Sequence, residues 1–181
     1  MANANLFQIT DFDGYTPQIG RFLCMLTYAR HTTLEAVAGL SVSQLDYQHD
    51  SQSNSIGALM LHIASCELEY GLQALENRGF NSAEWEVWGA AAELGERGRR
   101  EIRGHDLAYY VARLQEVREK TLADLRKRDD AWLAIEKPIW DGQLANNYFL
   151  WFHVLEDEIN HRGQIAWLRK RLPLSGRALS S

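Results

Sequence analysis

The sequence predicts an all-α protein, a four-helix bundle with long crossover connections. Three observations point there. The chain has only three prolines in 181 residues, and the long segments between them repeat apolar residues at three- and four-residue steps. Those segments open on capping residues and close on glycine or proline. Two sizeable connections separate the helices, as in bundles that do not run simply up and down.

The elements follow in order. Thr16-Pro17 places a cap before a proline at the first helical position. Ile19, Phe22, Leu23, Leu26, Thr33 and Val37 then share one face, and Gly39 stops the first helix. Ser41 and Gln44 have capping-box spacing and start a short helical turn. The polar run 48–54 reads as a loop. A second helix starts at Asn54 or Ser55, buries Ile56, Leu59, Met60, Ile63 and Tyr70, and ends at Asn77-Arg-Gly79. Residues 80–104 read as a connection that holds a short helix around Ala83–Leu94. Asp106 caps a third long helix with Leu107, Tyr110, Val111, Leu114, Val117, Thr121 and Leu125 inward, and its Arg/Glu/Lys face is read as solvated. Residues 129–142 contain Pro138 and read as an irregular crossover. The fourth helix runs from about Asn146 to Arg171 and stops before Pro173. The tail after it is expected to be mobile. One domain over 1–181, with its core in 16–172, fits this length.

Composition narrows the function. The formal charge of −5 gives no general attraction to nucleic acid. Arg97, Arg99, Arg100 and Arg103 are interleaved with Glu93, Glu96 and Glu101, which makes that run a solvated surface. The two cysteines, Cys24 and Cys66, lie inside apolar helical patterns, unlike a disulfide framework or a CxxC zinc site. No signal peptide and no membrane span are expected, so the reading is a cytoplasmic protein with no membrane or nucleic-acid partner.

The fourth helix breaks its own pattern. Its apolar stripe is Leu150, Val154, Ile165 and Leu168, and the same rhythm between them lands on Asp157 and His161. A buried carboxylate needs a partner. Residues four apart stack on one helix face, a spacing that suits two ligands of one metal ion and also suits a plain ion pair. His62 lies beside the stripe of the second helix and completes a set of two imidazoles and one carboxylate. Catalytic zinc uses such sets, and iron, nickel and manganese accept them too.

The segments Ser55-Ile-Gly-Ala-Leu-Met-Leu-His62-Ile63 and His153-Val-Leu-Glu-Asp157-Glu-Ile-Asn-His161-Arg-Gly-Gln-Ile165 resemble the signature regions of the DinB-like superfamily. That group includes YfiT-type metalloenzymes and thiol-dependent transferases. The resemblance runs over about 16–172 and takes in the turn at 40–45; its specific part is His-Arg-Gly-Gln-Ile. It implies one metal ligand on the second helix and two on the last, at His62, Asp157 and His161. Histidine is commoner at the 157 position. A carboxylate there resembles the branch of mycothiol-dependent maleylpyruvate isomerase, and the short reach of aspartate decides whether the set closes.

Other residues carry two readings each. His153 is a substitute ligand or an aromatic packing residue. Cys66 is a soft ligand, a redox thiol or a small core residue. Glu69 and Gln164 could orient ligand nitrogens. Gly163 is expected to permit close helix packing, and Arg162 to bind a backbone carbonyl or a carboxylate. The six tryptophans line a pocket mouth or fill the core. The resemblance implies a metal-dependent enzyme acting on a small molecule, with transfer of a low-molecular-weight thiol as the leading reaction. Hydrolysis at the same site is the alternative. A non-catalytic, stress-related binding or dimerisation bundle is the third reading, and a homodimer is plausible under any of them.

Overall fold

Helix α1 (Pro17–Val37) opens the computed structural model, which describes residues 6–173. The expected tail lies outside the described residues. Thr16 is the cap position, but its hydroxyl donates to Asp130 instead of closing the first turn. Gly39 follows the helix at φ +75, a conformation that ends it cheaply only at glycine. Ser41 and Gln44 form the expected capping box of α2 (Val42–Leu45). Ser55 caps α3 (Ile56–Glu76), and Asn77 ends it in the left-handed region.

The connection over 80–104 holds the expected short helix, α4 (Ser82–Glu93), and a further one that the sequence pattern did not predict, α5 (Gly95–Glu101). Asn81 and Glu84 close a second capping box at the start of α4. Trp88 and Ala91 bury that helix against the core. Helix α6 (Leu107–Leu125) starts at the Asp106 cap. The irregular crossover contains α7 (Asp130–Leu133) and an antiparallel hairpin of β1 (Glu136–Ile139) and β2 (Gln143–Asn146). Asp141 and Gly142 both take positive φ in the turn between them. Asn146 then caps α8 (Asn147–Arg169).

Helices α1, α3, α6 and α8 form the bundle. Helix α8 packs between α1 and α3, and α3 between α8 and α6, while α1 and α6 meet only sparsely. The apolar interior falls into two clusters. One joins Val37, Leu59, Ile63, Tyr110, Leu114 and Ile165; the other joins Leu23, Leu26, Leu125, Leu150, Trp151 and Val154.

A buried ionic layer lies between the two clusters. Arg30 of α1 donates from Nε to Glu158 of α8 at 2.8 Å, from Nη2 to Glu67 of α3 at 2.9 Å, and from Nη1 to the Leu114 carbonyl of α6 at 2.9 Å. Arg118 of α6 donates to Glu67 at 2.7 Å and 3.1 Å and reaches Glu158 at 3.4 Å. The expected solvated face of α6 is therefore interrupted at Arg118, whose side chain is largely covered. Two guanidiniums and two carboxylates balance in charge, and charge-assisted, partly bidentate bonds satisfy them. The layer ties all four long helices together at one level. Burial by itself would raise the Glu67 carboxyl, but Arg118 and Arg30 pull it down to about 2.

Candidate metal centre

The polar level also holds the residues that break the α8 stripe. Asp157 and His161 project from one face of α8 towards α3, which presents His62. Asp157 Oδ1 lies 3.2 Å from His161 Nε2 and 3.5 Å from His62 Nε2. The two imidazole rings stand 4.6 Å apart, centroid to centroid, at 77°. Each residue offers one ligand atom, and all three atoms lie within 4.8 Å of one another. Ligands at about 2.1 Å from one ion are separated by about 3.0–3.4 Å in octahedral or tetrahedral geometry. The short aspartate therefore reaches both histidines. The side chains are 13–17% exposed, so the site is sheltered yet open to small molecules.

Hydrogen bonding fixes how the donors face. His62 Nδ1 lies 2.8 Å from the Ala91 carbonyl of α4. A carbonyl only accepts, so Nδ1 carries the proton, and Nε2 of the neutral ring turns its lone pair to Asp157. Two acceptors face each other there, an arrangement that calls for a proton or a cation between them. A carbonyl behind a histidine is also the usual means of orienting a metal ligand. Asp157 Oδ2 and His161 Nδ1 are buried with no hydrogen-bond partner. Electrostatics agree. With both imidazoles protonated, burial works to raise the Asp157 carboxyl, but the hydrogen bonds that His161 and His62 then donate hold it well below the usual carboxylate range. Burial works to lower His62, but its bond to Asp157 and that charge raise it. Donor types, spacing and unmet acceptors all fit a divalent cation.

A family model, mycothiol-S-transferase, matches residues 22–173, most of the chain. The chain belongs to the mycothiol-S-transferase family. This agrees with the DinB-like resemblance of its sequence. Solved structures match the fold of this family member. A conserved protein from Enterococcus faecalis aligns with a TM-score of 0.62 at 15% identity, over 81% of this chain and 91% of its own. YfiT from Bacillus subtilis, described as a probable metal-dependent hydrolase with an unusual four-helix bundle topology, aligns with a TM-score of 0.58 at 18% identity, over 83% of this chain and 85% of its own. No curated protein matches the chain.

The remaining sequence candidates separate. His153 is not in the triad; it packs on Tyr70 at 4.7 Å and Trp140 at 5.5 Å. Cys66 is a buried core residue whose thiol is pushed up by burial and by the charge of Asp157. Glu69 lies within electrostatic reach of His62, and burial raises its carboxyl. Gln164 is exposed and bonds to no ligand nitrogen. Gly163 is not a packing glycine, since a Cβ there would meet nothing within 4 Å. Arg162 donates to the Thr32 hydroxyl, not to a carbonyl or a carboxylate. Trp88 and Trp151 are core residues, while Trp85, Trp140 and Trp167 are exposed. The residue that sequence reasoning missed is Ala91, whose carbonyl orients His62. The signal was the Asn81/Glu84 capping box, which makes α4 a fixed helix and not a loop.

Proposed function

We propose that this chain is a metal-dependent S-transferase for a low-molecular-weight thiol, with His62, Asp157 and His161 as the metal ligands. The observation that carries the reading is the convergence of three ligand atoms on one point in a chain of the mycothiol-S-transferase family. A divalent ion held by these residues would supply a Lewis acid able to lower the pKa of a thiol. Zinc, nickel, iron and manganese all suit two imidazoles and a carboxylate. The protein's own contribution is positional. Ala91 holds His62 in one tautomer, and the helical spacing keeps Asp157 and His161 on one face. With only three side chains converging among the described residues, the protein would not by itself fill an ion's coordination. A hydrolase using the same residues is the second reading, favoured by the description of the Bacillus subtilis neighbour.

Metal analysis of purified wild type and of the His62→Ala, Asp157→Asn and His161→Ala variants tests the ligand set. Stoichiometric metal in wild type, lost in all three variants, is expected. Full occupancy in His161→Ala would overturn the assignment. Turnover of a chlorodinitrobenzene-type electrophile with mycothiol tests the reaction. No thiol-dependent turnover in any metal form sinks the transferase reading, and ester hydrolysis in the same samples would select the alternative. A cytoplasmic setting and a homodimer belong to the same proposal. Both cysteines are free thiols, and Tyr28, Phe152 and Ile159 are exposed apolar side chains on α1 and α8. Among the described residues no helix is long and apolar enough to cross a membrane.

A further inference from the structure

The segment ahead of α1 lies antiparallel along that helix. Asp11 pairs with Arg21 at 3.0 Å, the Cys24 thiol donates to the Thr10 carbonyl at 3.4 Å, and Phe7 meets the Tyr28 ring at 6.2 Å. Gly20 admits this strap, since a Cβ there would sit 2.7 Å from the Phe12 backbone nitrogen. Between the strap, α1 and α8 runs a trough of about 360 Å³. Phe7 and Ile9 line it from the strap, Tyr28 from α1, and Leu155, Ile159 and Arg162 from α8. It lies on the α1 side of α8, whereas Asp157 turns towards His62 of α3. Its volume is that of a small ligand site, about 300–1,000 Å³, and like such sites it is mostly apolar with a polar group at one end. That group is Arg162. Among the described residues it makes no ion pair, and its Nη1 donates to the Thr32 hydroxyl. The hydroxyl donates in turn to the Ala29 carbonyl at 2.9 Å, so it only accepts from Arg162 and brings no charge to balance it. Helical spacing offers one carboxylate, Glu158, a turn before. Glu158 is instead held inside the ionic layer by Arg30, at 2.8 and 3.2 Å. The rest of the guanidinium's donor fork, which matches a carboxylate, is left to the trough.

We propose that this trough binds a medium-chain fatty carboxylate, its head group paired with Arg162 and its alkyl chain lying along Ile159 and Leu155 between the strap and α1. From Arg162 back to Leu155 the helix rises about 10 Å. An extended chain of roughly eight carbons spans that length. The site needs neither a metal nor the transferase reading. Tyr28 and Ile159 also belong to the exposed apolar face that serves the homodimer reading. A two-fold contact lays such a face against itself. The lining holds a cation and no carboxylate, so a second copy brings Arg162 no counter-charge from this trough, whereas a free anionic amphiphile does.

Calorimetric titration with sodium octanoate tests the proposal, on chelator-treated full-length protein so that no ion at the triad takes the carboxylate. One saturable site with a Kd below about 1 mM is expected. Octan-1-ol, with the same tail and no charge, is expected to bind at least about tenfold more weakly. Arg162→Gln should weaken octanoate about tenfold and leave octanol unchanged, and Ile159→Gln should weaken both. Unchanged far-UV circular dichroism and melting confirm that the variants fold. Arg162→Gln also breaks the bond to Thr32, so the octanol comparison on wild type decides by itself if that variant does not fold. No saturable binding of octanoate, equal affinity for octanol, or undiminished octanoate affinity in folded Arg162→Gln would each overturn the proposal. Sedimentation at the same concentrations identifies the competing occupant. A dimer that excludes octanoate, and that Ile159→Gln dissociates, would assign the trough to a second copy of the chain and overturn the proposal as well.

Discussion

Replacing Arg30 with methionine removes one of the two cations from the ionic layer while keeping an unbranched apolar stem in its place. Four hydrogen bonds, two to Glu158 and one each to Glu67 and the Leu114 carbonyl, disappear together. Glu67 and Glu158 are each 1% exposed, so neither carboxylate can turn to solvent for compensation. Arg118 alone must then balance both. Removing one member of a buried, paired set costs about 3–5 kcal/mol. The Glu67 carboxyl points the same way: against burial, Arg118 and next Arg30 hold it at about 2 in the folded chain, where its ordinary value is 4.5. A loss of 3–5 kcal/mol in a chain of this length lowers the melting temperature by roughly 6–20 °C. The sign with pH follows from the depressed carboxyl: the stabilisation is complete above about 4.5 and is lost as pH falls through about 2. Arg30→Met should therefore be much weaker than wild type in urea at pH 7, and the gap should narrow steadily below pH 4.5. The assay is urea denaturation followed by far-UV circular dichroism, with the m-value checked for constancy. A difference under about 1 kcal/mol at pH 7, or one that does not shrink in acid, would refute the claim that this layer locks the bundle.

Other outcomes follow from single contacts. Gly57→Ala should cost about 1–3 kcal/mol, because a Cβ there would sit 2.5 Å from the Tyr110 hydroxyl between α3 and α6. Gly163→Ala should instead raise stability by up to about 1 kcal/mol, since the position is helical and open; equal melting losses in the two variants would refute the contrast. Gly142→Ala should destabilise by about 1 kcal/mol, because the hairpin turn holds that residue at φ +85. In native protein a disulfide reagent should modify Cys24 quickly. Cys66, buried and with its thiol pushed up by burial, should react only on unfolding. Rapid modification of both thiols in the folded state would count against the packing described around Asp157.

The four long helices were legible because local chemistry and periodicity agree in each: a cap at Ser55, Asp106 or Asn146, then apolar residues on one face. The triad was legible for the converse reason, since Asp157 and His161 occupy core positions of a stripe. The same signal marks the ionic layer. Arg30 follows Leu26 by four residues, Glu67 follows Ile63, Arg118 follows Leu114 and Glu158 follows Val154. Each continues a buried stripe, yet a charged residue at the edge of a stripe looks like a solvated flank until its partner from another helix is known. That pairing is a tertiary fact. The hairpin was hidden differently. Its strands span four residues each and are half exposed, so alternation is too short to detect, although Asp141-Gly142 is a strong turn signal. Asn81 and Glu84 likewise marked α4 before its burial could be known.

The position of the ionic layer has a practical meaning for the neighbouring triad. Glu158 follows Asp157 directly in the chain, and Glu67 lies five residues beyond His62, so the lock and the proposed ligands occupy neighbouring turns of the same helices. The directions of His62 and Asp157 are inherited from contacts in which no ion takes part. The chain is in this respect a rigid socket, unlike a small domain whose fold is created by its metal. If the triad holds an ion as proposed, stripping with a chelator should leave the fold standing, and different divalent ions should exchange into one batch of folded protein. Their reactivities can then be compared without a refolding step to confound them.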